Sequence, residues 1–378
     1  MNKFLITLAT VVAMALNGVA FADAKVSGFM WHMIGAGDDI DGGITQKFTR
    51  FSFGADTTTD NGWTVGGSMA IEYSTYNDPS KSGYLPTSNS MYVQTDMATI
   101  SIGSTADSTT ALMPRVSAMV PGAGTDGGFP MLFDGGHLSG NGVEFAEAYY
   151  ADSNSKINVA LPSVNGFTVG VSYTPSNEYG TKSNILRRAG AVDGTHSDVV
   201  NVAASYAGEM DGMSYTVAVS SISGNSQGSN GRTGTQANNN DLSSFTAGIK
   251  VAMGNISIGA HMYDNGASFG SSTDADKASE AGYNVAATYA MGNITVGVGM
   301  SHSELARGTN AQARATTLTS AAAGNVREDT AIQLGIGYDL GGGVNSFLQL
   351  TNYNHSDGDH ATTEADPQIL IGGISLGF

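Results

Sequence analysis

The sequence predicts an all-β protein, a 16-stranded antiparallel transmembrane β-barrel whose strands are joined alternately by short turns and long loops. Three observations predict it. Apolar residues recur with period two, and no helical stripe is sustained beyond the first 22 residues. Tight-turn residues punctuate the chain at near-regular intervals. The second face of the strands carries mostly Ser, Thr, Gly and Asn, with very few charges.

Residues 1–22 read as a cleaved secretory signal. Lys3 is the positive end, 4–16 the apolar stretch, and Ala20-Phe21-Ala22 the small-residue cleavage site. That stretch is shorter than the roughly 20 residues a spanning helix needs. The remaining residues, 23–378, read as one barrel domain. Only 13% of residues are charged, with 16 Lys plus Arg against 33 Asp plus Glu. The net charge is −17, or −18 once Lys3 is removed with the signal. This excludes nucleic acid as a partner, which requires a basic footprint. With no Cys there is neither a disulfide framework nor thiol chemistry.

Strands are expected near 25–33, 47–57, 63–73, 89–96, 98–104 and 145–162, the last irregular at its start. Further ones are expected near 167–174, 198–207, 213–221, 242–252, 256–264, 280–290, 294–303, 328–339, 344–353 and 367–378. Ile256-Ser257-Ile258-Gly259-Ala260 and Ile294-Thr295-Val296-Gly297-Val298 show the alternation plainly. Tight turns are expected around residues 61, 97, 165, 210, 254, 292 and 342, where Gly and Asn supply the positive φ of short hairpins. One interval is oversized, and within it residues 106–142, with Pro114, Pro121 and Pro130, read as a loop and not a strand. An even count with short and long connections alternating is what an up-and-down membrane barrel requires.

A soluble sandwich would turn charge outward; here the apolar face suits lipid and the small polar face suits water. Ten residues rising ~3.3 Å each at a tilt of ~45° cover about 24 Å, the height of a barrel's apolar band. Trp63, Phe167, Tyr206, Tyr215, Tyr289, Tyr338 and Phe378 fall beside the short turns, as an interfacial girdle would. A propeller fails, because each period offers two long strands and not four short ones. Sixteen strands enclose a lumen too wide for side chains to fill, so water-soluble solutes can diffuse through it.

Five segments in order, AKVSGFMWHM, SMYVQTDMATISIGS, KINVALPSVNGFTVGVSY, YDLGGGVNSFLQL and the terminal ILIGGISLGF, resemble the Gram-negative general porins, the alphaproteobacterial branch most closely. The resemblance implies an outer-membrane location, contact with lipid and lipopolysaccharide, a homotrimer, and the third long loop (106–142) folded inward as a constriction. It implies that Leu370, Ile374, Leu376 and Phe378 share the face read by the outer-membrane insertion machinery. It further implies acidic loop residues, here Asp107, Asp126 and Asp134 with Glu144 at the exit, opposed to a basic wall. Strand parity selects the wall residues. Arg50 alternates with Phe51 and Phe53, Glu72 with Ile71 and Tyr73, Lys156 with Ile157, and Lys250 with Ile249 and Val251. A charge facing lipid costs roughly 2–4 kcal/mol at the midplane, so all four are placed inside. Rim positions that anchor loops are the alternative for each. Where many porins carry a basic residue after the fifth strand, this chain reads Ile102-Gly103-Ser104-Thr105, so the basic cluster is thin. Acidic loops and a charge of −18 then predict a mild cation preference.

Other chemistry is weaker. Asp38, Asp39 and Asp41 in the first loop offer hard oxygen ligands to Ca²⁺. Without EF-hand spacing, a solvated acidic loop explains them as well. His355 to His360 bring metal-ligand types together, but an ordinary polar loop does the same. For an enzyme, His137, His196, His261 and His302 are scattered and no G-x-S-x-G elbow occurs. No cofactor is expected. A solute-selective channel would want lumenal aromatics for sugar or a basic ring for an anion. A non-conducting adhesin is the remaining alternative.

Overall fold

The computed structural model describes residues 23–37, 43–73, 85–122, 154–176, 196–226, 240–268, 279–306, 326–356, 366 and 368–378. Sixteen antiparallel strands occupy them. The first eight are β1 (Asp23–Gly37), β2 (Gly43–Thr58), β3 (Thr64–Tyr73), β4 (Leu85–Gln94), β5 (Thr99–Ser104), β6 (Ser155–Ala160), β7 (Phe167–Ser176) and β8 (His196–Met210). The others are β9 (Met213–Ser226), β10 (Leu242–Met253), β11 (Ile256–Gly266), β12 (Glu280–Met291), β13 (Ile294–Ala306), β14 (Val326–Gly341), β15 (Val344–Ser356) and β16 (Gln368–Gly377). Each pairs with its sequence neighbours, and β1 pairs with β16, so the sheet closes on itself without an edge. Lipid offers no partner to an unpaired strand, and closure is what satisfies every ladder.

All seven expected tight turns are present, and positive-φ residues sit at six of them; the turn at Asp96-Met97-Ala98 reverses without one, closed by the Thr95 amide donating to the Ala98 carbonyl at 2.9 Å. Asn165 and Gly166 (φ 50° and 87°) turn β6 into β7, and Asp211 and Gly212 (51° and 79°) turn β8 into β9. The register across the last gap is tight. Gly28 and Phe378 exchange backbone hydrogen bonds of 2.8 and 3.0 Å beyond the end of β16.

The faces are inverted relative to a water-soluble protein. Val171, Val202, Val219, Ile249, Val298 and Leu350 are exposed on the outside, while Thr246, Gln333, Gln349 and Thr351 are buried inside. Trp63, Phe167, Tyr289 and Tyr338 are exposed at the short-turn end, with Phe167 stacked on Tyr206 (4.8 Å) and Tyr206 on Tyr215 (5.8 Å). Phe245 and Tyr283 are exposed near the opposite end, giving the outer surface two aromatic girdles around an aliphatic band.

One expectation about the third connection changes. Residues 108–112 form a short helix, α1 (Ser108–Leu112), inside what the sequence presents as irregular loop. The sixth strand begins at Ser155, and the start expected at 145 lies outside the described residues. The signal, 1–22, lies outside them too.

Candidate functional site

The third connection enters the barrel and follows its inner wall. Asp107 caps α1, its carboxylate accepting from the Thr110 amide at 2.8 Å. Two residues then fix the helix to four strands. The Ser108 hydroxyl donates to Asn158 Oδ1 on β6 (3.0 Å) and the Ser108 amide to the Ser172 hydroxyl on β7 (3.3 Å). The Thr109 hydroxyl pairs with Asn201 Oδ1 on β8 (2.9 Å) and the Ser220 hydroxyl on β9 (2.7 Å).

Beyond the helix the chain needs room against the wall, and the strands supply it by lacking side chains. A Cβ at Gly248 on β10 would stand 3.0 Å from both Met113 Sδ and Pro114 Cγ. At Gly259 on β11 it would stand 2.6 Å from Met119 Sδ, and at Gly299 on β13 it would stand 3.0 Å from Val120. Gly335 on β14 leaves space for the Pro121 carbonyl, and Gly122 lies against Gln349 on β15. Val116, Val120 and Ala286 form a small buried cluster between loop and wall, with Met119 packed on it. Residues 108–122 therefore lie against the wall from β6 to β15.

On the inner face of the first strands Arg50 of β2 faces Glu72 of β3 in direct register. Both Nε and Nη2 donate to one carboxylate oxygen, at 2.9 and 2.6 Å, and the guanidinium lies 5.5 Å over the Phe29 ring. Parity places both inside, and pairing neutralises them. Nearer the turn end Lys25 and Asp56 form a second pair at 2.7 Å. Lys25 was not singled out by sequence, although its alternation with Val26 carries the signal.

The other site residues fare differently. Lys250 shares the inward face of β10 with Thr246 and Gly248 and is exposed. Lys156 faces inward as its parity requires but does not meet water: it is fully buried, and its ammonium donates to the carbonyls of Thr105 and Asn154 (2.8 Å to the latter). Asp107 is corrected in the same sense. It is 2% exposed and its carboxylate serves the helix start, so it does not line the lumen. Asp126, Asp134 and Glu144 lie outside the described residues, as do Asp38, Asp39 and Asp41. Leu370, Ile374, Leu376 and Phe378 are exposed on one outward face, where Phe378 meets Phe51 at 5.6 Å. His261 is buried and engages the Thr246 hydroxyl (2.7 Å) and Asn284 (3.5 Å), a structural use of its ring. No group of metal-ligating side chains occurs among the described residues. A second residue that sequence reading missed is Arg115, exposed on the loop between wall-packed Pro114 and Val116. It lies in a Pro- and Gly-rich stretch without strand period, so parity could not assign it a face.

Comparisons with known proteins agree with this geometry. The fold matches that of an outer membrane protein of Vibrio cholerae, OmpT folded in vitro, with a TM-score of 0.62 at 14% identity, covering 96% of this chain and 99% of that one. A trimer form of the same protein matches with a TM-score of 0.62 at 12% identity, covering 94% and 99%. A double mutant of Rh. blastica porin matches with a TM-score of 0.57 at 18% identity, covering 94% and 100%. Among curated proteins no sequence match is found. The model of the Gram-negative porin family matches residues 9–358. With the closed sixteen-stranded ring, the outward apolar band and the inward third loop, the chain belongs to the Gram-negative porin family.

Proposed function

We propose that this outer-membrane porin forms a water-filled channel for passive diffusion of ions and small hydrophilic solutes, mildly cation-preferring and assembled as a homotrimer. The carrying observation is the one-sided course of residues 108–122. The loop is held against β6–β15, and the opposite wall, with the Arg50–Glu72 pair, is left as the boundary of a path. A sixteen-stranded ring is wide enough for such a path to hold water. The excess of carboxylates over cations raises the local concentration of cations at the mouths and supports the preference. A trimer is supported by the trimeric neighbour and by the family. Residues Leu370, Ile374, Leu376 and Phe378 suit recognition by the insertion machinery, being exposed together on the closing strand.

Refolded residues 23–378 in a planar bilayer under a KCl gradient test the reading. Open steps grouped in threes, with a reversal potential favouring K⁺, are the expected result. Steps favouring Cl⁻ would retain the channel and overturn its preference, while silence from demonstrably inserted protein would overturn the channel.

A further inference from the structure

Among the described residues two exposed basic side chains have no ion-pair partner, Lys250 on the wall and Arg115 on the loop. Their settings differ. Lys250 stands on a strand, two residues beyond the Gly248 contact toward the short-turn end. Arg115 stands on the loop itself, within the described segment that runs along the inner wall.

Its direction is dictated by its neighbours. Pro114 packs on Gly248 and Val116 on Gly259, the latter valine only 2% exposed. With both flanking residues turned to the wall, Arg115 is turned away from it. Ala111 and Ala118, three or four residues to either side, are the other exposed residues of this stretch and are too small to screen it. Its guanidinium carries a positive charge. Low-dielectric walls focus the field of such a charge on the solution beside it.

We propose that Arg115 is a specificity-determining residue of the channel, a fixed positive charge at the loop surface that repels cations and draws anions, thereby limiting the cation preference set by the acidic mouths. This deepens the channel reading and rests on it. The arrangement differs from an all-acidic loop facing a basic wall. In the described part of this loop the acidic residue, Asp107, is withdrawn into a helix cap, and the basic one is presented. The wall opposite contributes Arg50 already neutralised by Glu72.

Two measurements test it. In bilayers under a KCl gradient, R115Q is expected to move the reversal potential toward the K⁺ equilibrium value, R115E further, and R115K to restore the parent value. An unchanged reversal potential in conducting R115Q would overturn the proposal. If the parent channel favours Cl⁻, its assigned cation preference fails, yet Arg115 stands or falls on the same shift. The second readout does not need conduction. The chain has no Cys, so single substitutions can be probed with a membrane-impermeant thiol reagent. In folded protein in lipid vesicles R115C and A118C are expected to label and V116C to remain protected. Protection of R115C would overturn the proposal.

Discussion

Arg50 and Glu72 show how one register step controls a charge in the lumen. The two residues face each other across β2 and β3, and both guanidinium donors meet a single oxygen. Removing either partner exposes the other's charge beside the path. E72Q is expected to shift the reversal potential toward Cl⁻ and R50A toward K⁺, with the double variant returning close to the parent; a double variant that keeps the full shift of either single one would show that the pair is not the unit. Asp107 predicts a different class of effect. Loss of the cap in D107A should weaken α1 by about 1 kcal/mol. Hydrogen exchange measured by mass spectrometry should quicken over residues 108–113, with the reversal potential unmoved. Parity in the sequence settled which face each of Arg50, Glu72, Lys156 and Lys250 takes, because side chains on a strand alternate without exception outside bulges. It could not settle what lies over that face. Lys156 is sealed by the Thr105 and Asn154 carbonyls, and that cover is contributed by a segment without period.

The described part of the third connection lies on the inner wall, and its course is written in the strands it touches. A Cβ at Gly335 would fall on the Pro121 carbonyl and within 2.8 Å of Val120. Gly335→Val therefore pushes the loop off the wall toward the lumen, and single-channel conductance should fall in a protein that still folds. Conductance equal to the parent, in a variant shown to be folded, would mean that the loop does not bound the path. The hairpins were legible because turn chemistry and period agree in them: Asn165-Gly166 and Asp211-Gly212 adopt the positive φ that short reversals need. The loop was legible only as an oversized interval. Its seat is set by glycines far along the chain, and in the strand pattern those glycines read as ordinary small inward residues. The helix at 108–112 was missed because five residues carry no helical period to detect.

At the scale of the molecule, fifteen pairings join strands that are consecutive in sequence, and one, β1 with β16, joins the ends. The closing pair spans Phe29 to Gly377 and extends through the Gly28–Phe378 hydrogen bonds. Closing that long a loop makes this the costliest contact in entropy to form. A chain lacking residues 368–378 is expected to insert without the compact, heat-modifiable form that folded barrels show in unheated SDS gels; a normal compact band would mean that β15 can close the ring alone. That outcome is opposed by direction as well as by distance. Strands alternate up and down, so a ring of sixteen returns with its last member antiparallel to its first, whereas fifteen would bring two strands together running the same way. A circle of alternating neighbours admits only even membership. Lineages built on this plan can thus gain or lose diameter in whole hairpins, with one long loop and one short turn exchanged each time, and the width of the hole advances in discrete steps.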